Sequence, residues 1–250
     1  MWFRKARRRT SRSTVDDAQW RRVEERLPFL HYLSDGDRQR LRELALRFLG
    51  EKEMYGAHGM ELSNDVRLSI ALQACLPILN LGLEYYAGWV GIVVYPGDFI
   101  VPREIMDEHG VVHRYEDRLA GEAWQGGPVL LSWFDEADAD DGTNVVIHEF
   151  AHKIDMLNGG PDGLPPLHAD MDRRRWAAAF KSAYEDFCRR VEAGEETAMD
   201  PYAAEHPSEF FAVASEMFFE APELLLSEYP AVYEQLRLFY RQDPAARIKP

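Results

Sequence analysis

Cysteine is nearly absent: Cys75 and Cys188, 113 positions apart, are the only two in 250 residues. Two thiols this far apart exclude a disulfide framework and a cysteine-rich metal site, and they suit a reducing compartment, so a cytoplasmic setting is expected. Long apolar runs are missing too. No stretch approaches the ~20 apolar residues that span a bilayer, and the beginning of the sequence shows no apolar core of a secretory signal. Positive charge is scarce except at one end. The formal net charge is −14, yet residues 1–12 (MWFRKARRRTSR) hold six Arg and Lys and no acid, which leaves −20 on the remainder. Such a body repels nucleic acid, so direct nucleic-acid binding is not expected. The basic start reads as a solvated, disordered tail over residues 1–14.

What is present suffices for a packed core: hydrophobic residues make up 46% and charged residues 29%, the balance of an ordinary globular chain. Helical periodicity runs through residues 15–50 in two segments, separated by a Ser34-Asp35-Gly36 start signal, and through residues 62–80 up to the region of Pro77. β-branched and aromatic runs at 89–101, 111–119 and 128–134, bounded by Gly, Pro and Asp, then predict a small sheet of about three strands. Helical patterns resume at 143–157, 170–192, 207–219 and 229–241. This order predicts an α+β fold, mainly helical with a small sheet. No Pro/Gly/Ser linker divides it, so residues 15–250 are expected to form a single domain.

Chemistry concentrates in Asn144–Gly159 (NVVIHEFAHKIDMLNG), where His148-Glu149-Phe150-Ala151-His152 spells HExxH within a helical pattern. At about 100° and 1.5 Å per residue, positions 148 and 152 fall a turn apart on one face, so both imidazoles can reach one tetrahedral zinc ion. Glu149 lies beside that face, placed to take a proton from water without holding the metal. A catalytic zinc needs a third protein ligand and an open position. The apolar segment 207–219 (PSEFFAVASEMFF) offers Glu209 and Glu216, seven apart and thus on one face, ~10 Å from each other. The pattern alone does not choose between them. Asp155, seven after His148, has two readings: an outer hydrogen bond to a ligand, or solvation at the helix end.

The block VVIHEFAHKIDMLNG with DPYAAEHPSEFFAVASEMFF resembles the Mlc titration factor A family of bacterial zinc peptidases, whose catalytic core is similar to the metalloprotease domain of anthrax lethal factor. The likeness spans roughly residues 60–245 and includes GVVHRYEDRLAGEAWQGGPVLLSW. It implies a zincin-like metallopeptidase fold, one zinc per chain, and Glu209 of Glu209-Phe210-Phe211-Ala212 as third ligand. It places Tyr202, seven residues before Glu209, where its phenol would stabilise the oxyanion or protonate the leaving amine. It also implies that His113 approaches the metal in a resting, occluded state. Aminopeptidase-type hydrolysis of short peptides follows from the resemblance, as does protein–protein contact with Mlc, a transcriptional repressor of glucose-transport genes. An alternative class is a repressor-sequestering module in which zinc is structural and hydrolysis vestigial. Because zincins generally hold substrate backbone along a sheet edge, the strand at 128–133 or that at 111–119 is the expected edge.

Overall fold

The computed structural model describes residues 15–106, 112–133 and 144–247, with side chains outside 101–118 and 247. The basic start, residues 1–14, lies outside the described residues. Helices α1 (Asp17–Glu24) and α2 (Asp35–Glu51) come first, then strand β1 (Glu53–Gly56) and helix α3 (Asn64–Cys75). Strands β2 (Gly91–Tyr95), β3 (Phe99–Met106), β4 (Val112–Leu119), β5 (Gly121–Ala123) and β6 (Val129–Ser132) follow. Helices α4 (Val145–Asp155), α5 (Arg173–Glu192), α6 (Pro207–Glu220), α7 (Pro222–Glu228) and α8 (Pro230–Tyr240) complete the order. The fold is therefore mainly helical with a small mixed sheet, the α+β arrangement expected.

Local chemistry explains the boundaries. Ser34, Ser63 and Asn144 cap α2, α3 and α4 by accepting from the backbone N–H three residues on, at 3.1, 3.2 and 2.9 Å, which satisfies otherwise orphaned helix donors. Helix α3 stops at Cys75, earlier than the periodicity suggests. Leu76 precedes Pro77, whose ring disfavours continued helix. Pro222 and Pro230 occupy the first positions of α7 and α8, dividing what would otherwise be one long helical run.

The expected three strands become more. A four-stranded sheet runs β1-β2-β6-β5, and β3 and β4 form a separate two-stranded ribbon. The apolar run at 89–101 splits at Pro96-Gly97, where Gly97 has φ +114°, and its halves enter different sheets. Pairs β1–β2 and β2–β6 are parallel, β6–β5 antiparallel. Met54, Ile92, Val94, Val129 and Leu131 are buried on the inner face. Tyr55, Val93, Leu130 and Glu122 lie in register across the outer one.

Helix α4 is held in the core by Phe150, whose ring lies 5.0 Å from Tyr86, 5.6 Å from Phe48 and 5.8 Å from Trp89. Helix α6 carries Phe210, Phe211, Phe218 and Phe219, all buried, and packs across α4. Burying such side chains stabilises by roughly 2 kcal/mol each.

The helical beginning is tied together by charge. Glu24, 6% exposed, accepts from Arg42 at 2.6 and 2.9 Å and from Arg38 at 3.0 Å. Burial raises the pKa of the Glu24 carboxyl, but these hydrogen bonds and charges outweigh it, and the net shift is downward. A folded-state pKa below the unfolded value of about 4.3 gives stability that is present above that value and lost as pH falls through the folded one. Glu24→Gln is expected to cost about 1–2 kcal/mol at pH 7, since the arginines it leaves unpaired are partly solvated. In urea unfolding the gap to the parent should close between about pH 4 and lower pH; a gap independent of pH would refute the assignment.

Candidate metal centre

Three side chains from two helices converge. His148 Nε2 and His152 Nε2, a turn apart on α4, stand 3.1 Å from one another, and Glu209 Oε2 from the first turn of α6 is 3.1 Å from each. This triangle is the one cluster among the described residues with three metal-donor side chains. Ligands at ~2.0–2.1 Å from a tetrahedral ion are about 3.3 Å apart, so the triangle needs little adjustment to hold one.

Protonation reinforces that fit. His148 Nδ1 donates to Glu216 Oε1 at 2.6 Å, which leaves Nε2 with a bare lone pair in the neutral ring. That lone pair faces the Glu209 carboxylate and a second imidazole nitrogen. Lone pairs facing one another are satisfied only by a cation or an extra proton. Without a metal, burial works against the His148 cation, yet hydrogen bonds to Glu209 and Glu216 overcome it and hold the pKa well above its ordinary value. Burial also opposes the Glu209 anion, and the two imidazoles outweigh it, lowering its pKa strongly. A metal entering this site displaces protons.

Glu216 is not an alternative to Glu209 but its complement. Its second oxygen accepts the Asn144 backbone N–H at 2.8 Å. Asn144 in turn donates from Nδ2 to Gln73 at 2.8 Å and Glu220 at 2.7 Å. Burial raises the Glu220 pKa to about 7. A chain of hydrogen bonds from α3 and α6 thus fixes both the cap of α4 and the orientation of His148. Periodicity does not show this network, although an Asn directly before an apolar helical run is a cap signal.

Glu149 is 4% exposed, and its Oε2 has no hydrogen-bond partner among the described residues. Burial is the main cause of a pKa raised to about 8; the nearby Glu209, Glu216 and Glu122 add to it, and His148 counters it. Gly121 covers the carboxylate closely. A Cβ there would stand 2.6 Å from Glu149 Cγ and 2.7 Å from Val145 Cγ2, so only glycine fits without displacing the acid.

The sheet order corrects one of the two expected edges. The strand at 128–133 is β6, enclosed between β2 and β5. Strand β4 (Val112–Leu119) pairs with β3 on one side and, among the described residues, has its other side unpaired, so this second expected edge remains available. Above Glu149 the edge strand, unpaired on its outer side among the described residues, is β5, only three residues long. Ala120 accepts from Ser132 N–H at 2.6 Å and Trp124 N–H donates to Pro128 at 3.1 Å, so Ala120, Glu122 and Trp124 face β6. Gly121 and Ala123 turn their backbone groups outward.

Tyr202 lies on a turn of 3₁₀ helix, Pro201–Ala204. It is 41% exposed, with its ring 6.2 Å from that of His148. His113 is on β4 opposite Ile105, and its side chain lies outside the described residues. Asp155 is fully buried, not solvated at the helix end. Its Oδ2 accepts from Gly163 N–H at 2.8 Å, and burial raises its pKa to about 6.

Residues 1–241 match the model of the family described as glucose-regulated metallo-peptidase M90. The chain belongs to the M90 metallo-peptidase family. Among curated relatives, Mlc titration factor A of Yersinia pestis (strain Pestoides F) is 39% identical over 237 residues, 93% of this chain and 87% of the relative. The protein of the same name from Yersinia pseudotuberculosis serotype O:1b (strain IP 31758) matches to the same extent. An M90 metallo-peptidase requires a metal ion, and the His-His-Glu triangle is a cluster able to bind one. No helix among the described residues is long and apolar enough to cross a membrane.

Proposed function

We propose that this M90 member is a zinc-dependent, aminopeptidase-type hydrolase of short peptides. The observation that carries the reading is the 3.1 Å triangle of His148, His152 and Glu209 beside the buried Glu149, whose Oε2 has no partner among the described residues. In this reading His148, His152 and Glu209 hold the ion, one per chain. Bound zinc supplies Lewis acidity toward a carbonyl oxygen and toward water. Glu149 accepts the proton of the attacking water and returns it to the departing amine. Tyr202, on the exposed side of His148, donates a hydrogen bond to the developing oxyanion. Gly121 and Ala123 pair with the substrate backbone along β5. His113 is assigned to the resting state, where it would approach the metal.

The same proposal takes residues 15–250 as one zincin-like domain, in keeping with a core cluster that runs from Trp20 to Tyr240. Free cysteines, Cys75 and Cys188, suit a cytoplasmic location. The relatives' name supports a second role, contact with an Mlc-type transcriptional repressor. With a net charge of −14, that contact is protein–protein rather than through DNA. If binding the repressor were the whole function, zinc would be structural and hydrolysis vestigial.

Elemental analysis and hydrolysis of amino-acid p-nitroanilides test the enzyme reading. The expected result is about one zinc per chain, loss of hydrolysis on dialysis against a chelator, and recovery on adding zinc. A protein without zinc, or hydrolysis indifferent to the chelator, would refute it.

A further inference from the structure

The turn between β5 and β6 carries a feature that the proposed reaction does not use. Trp20, Trp89 and Trp176 are buried, whereas Trp124 is 50% exposed. Its side chain lies against Gly127, where a Cβ would stand 2.9 Å from Trp124 Cβ and 3.7 Å from the ring carbon Cε3. The missing side chain at 127 provides the seat.

This seat is rigidly held. Gly127 N–H donates to the Trp124 carbonyl at 3.0 Å, with Gly126 between them at φ +65°. The buried ammonium of Lys153 donates to the carbonyls of both Trp124 and Gly127, at 2.7 and 3.0 Å, and lies 4.5 Å from the centre of the Trp89 ring. Gln125 Nε2 donates to the Gly159 carbonyl at 2.7 Å. Lys153 belongs to α4, so the indole is held in place relative to the helix that carries Glu149 and both histidines. Exposed aromatic rings on a pre-ordered backbone lose little entropy on binding and dominate recognition.

Its placement suits a peptide on β5. Gly121 marks the position of Glu149, and at about 3.3 Å per residue Trp124 lies ~10 Å further along the strand, the reach of two to three extended residues. Positions 122 and 124 share the parity of the outer sheet face, so a strand paired with Gly121 and Ala123 turns every second side chain toward that face. We propose that Trp124 is the specificity-determining residue of the site, receiving a large apolar side chain of the peptide two to three residues from the bond that is cut. This rests on the peptidase reading above.

The test is kcat/KM for wild type, Trp124→Ala and Trp124→Phe on hexapeptides whose cut bond is located by mass spectrometry. The residues two and three positions from that bond, on either side, are varied among Phe, Leu, Gly and Asp. Wild type should favour Phe or Leu over Gly and Asp at one such position by about tenfold or more, the scale of one apolar contact. Trp124→Ala should reduce that preference to within about threefold, mainly through KM, and Trp124→Phe should keep it, with zinc content equal in all three. A wild type without apolar preference at these positions, or a Trp124→Ala protein with the preference intact, overturns the assignment of Trp124 alone. A wild type that cuts none of the peptides overturns the peptidase reading and this assignment with it.

Discussion

Glu149→Gln should lower turnover about 10³-fold, within the range that a positioned general base contributes, while the protein keeps its zinc. That factor equals roughly 4 kcal/mol of barrier. The amide has the size of the carboxylate and fits under Gly121, which leaves no room for a larger group. It cannot accept a proton, so the water is no longer activated from the protein side. Among the described residues the native Oε2 has no partner to lose, and Glu149 is outside the donor triangle. Metal content and thermal midpoint should therefore match wild type. The variant also separates the two roles, because a repressor-binding surface should survive it. Turnover equal to wild type would end the mechanism.

Glu209→Ala should empty the site. Protein zinc sites bind with about 10–16 kcal/mol shared among four ligands, so losing one should weaken affinity on the order of 10³-fold. Glu216→Ala removes only the group that orients His148 through its Nδ1, a change expected to weaken binding by about 10–100-fold. Competition with a chromogenic chelator gives both constants. Added zinc should raise the thermal midpoint of wild type and of Glu216→Ala but not of Glu209→Ala, since only a ligand that binds the folded state stabilises it. The reverse order, with Glu216 the stronger determinant, would show that the wrong carboxylate has been named as ligand.

Much of the centre is readable along one helix. His148, Glu149 and His152 are neighbours in sequence, Asn144 caps them, and an i, i+4 spacing places two imidazoles together in any α-helix. The carboxylates are a different matter. Glu209 and Glu216 occupy one face of α6, and periodicity treats them as equivalent. Packing against α4 distinguishes them, because one meets Nε2 and the other Nδ1 of the same His148 ring. Strand β5 was not legible for another reason: three residues are too few for an alternating pattern, and β6 has the stronger apolar signal while lying inside the sheet. The buried state of Asp155 depends on the loop that folds back to place Gly163 on it.

Local spacing by itself determined the helical character, the paired imidazoles and the acid beside them, since these depend on 3.6 residues per turn and nothing farther away. Tertiary structure decided what local spacing left open: how each acid of α6 meets the His148 ring, and which backbone edge and which Glu149 oxygen are unpaired among the described residues. Those outcomes depend on contacts such as that between His148 and Glu209, 61 positions apart. Whether two groups so distant in the chain meet is set by how helices and strands pack, which no single helix encodes in its own periodicity.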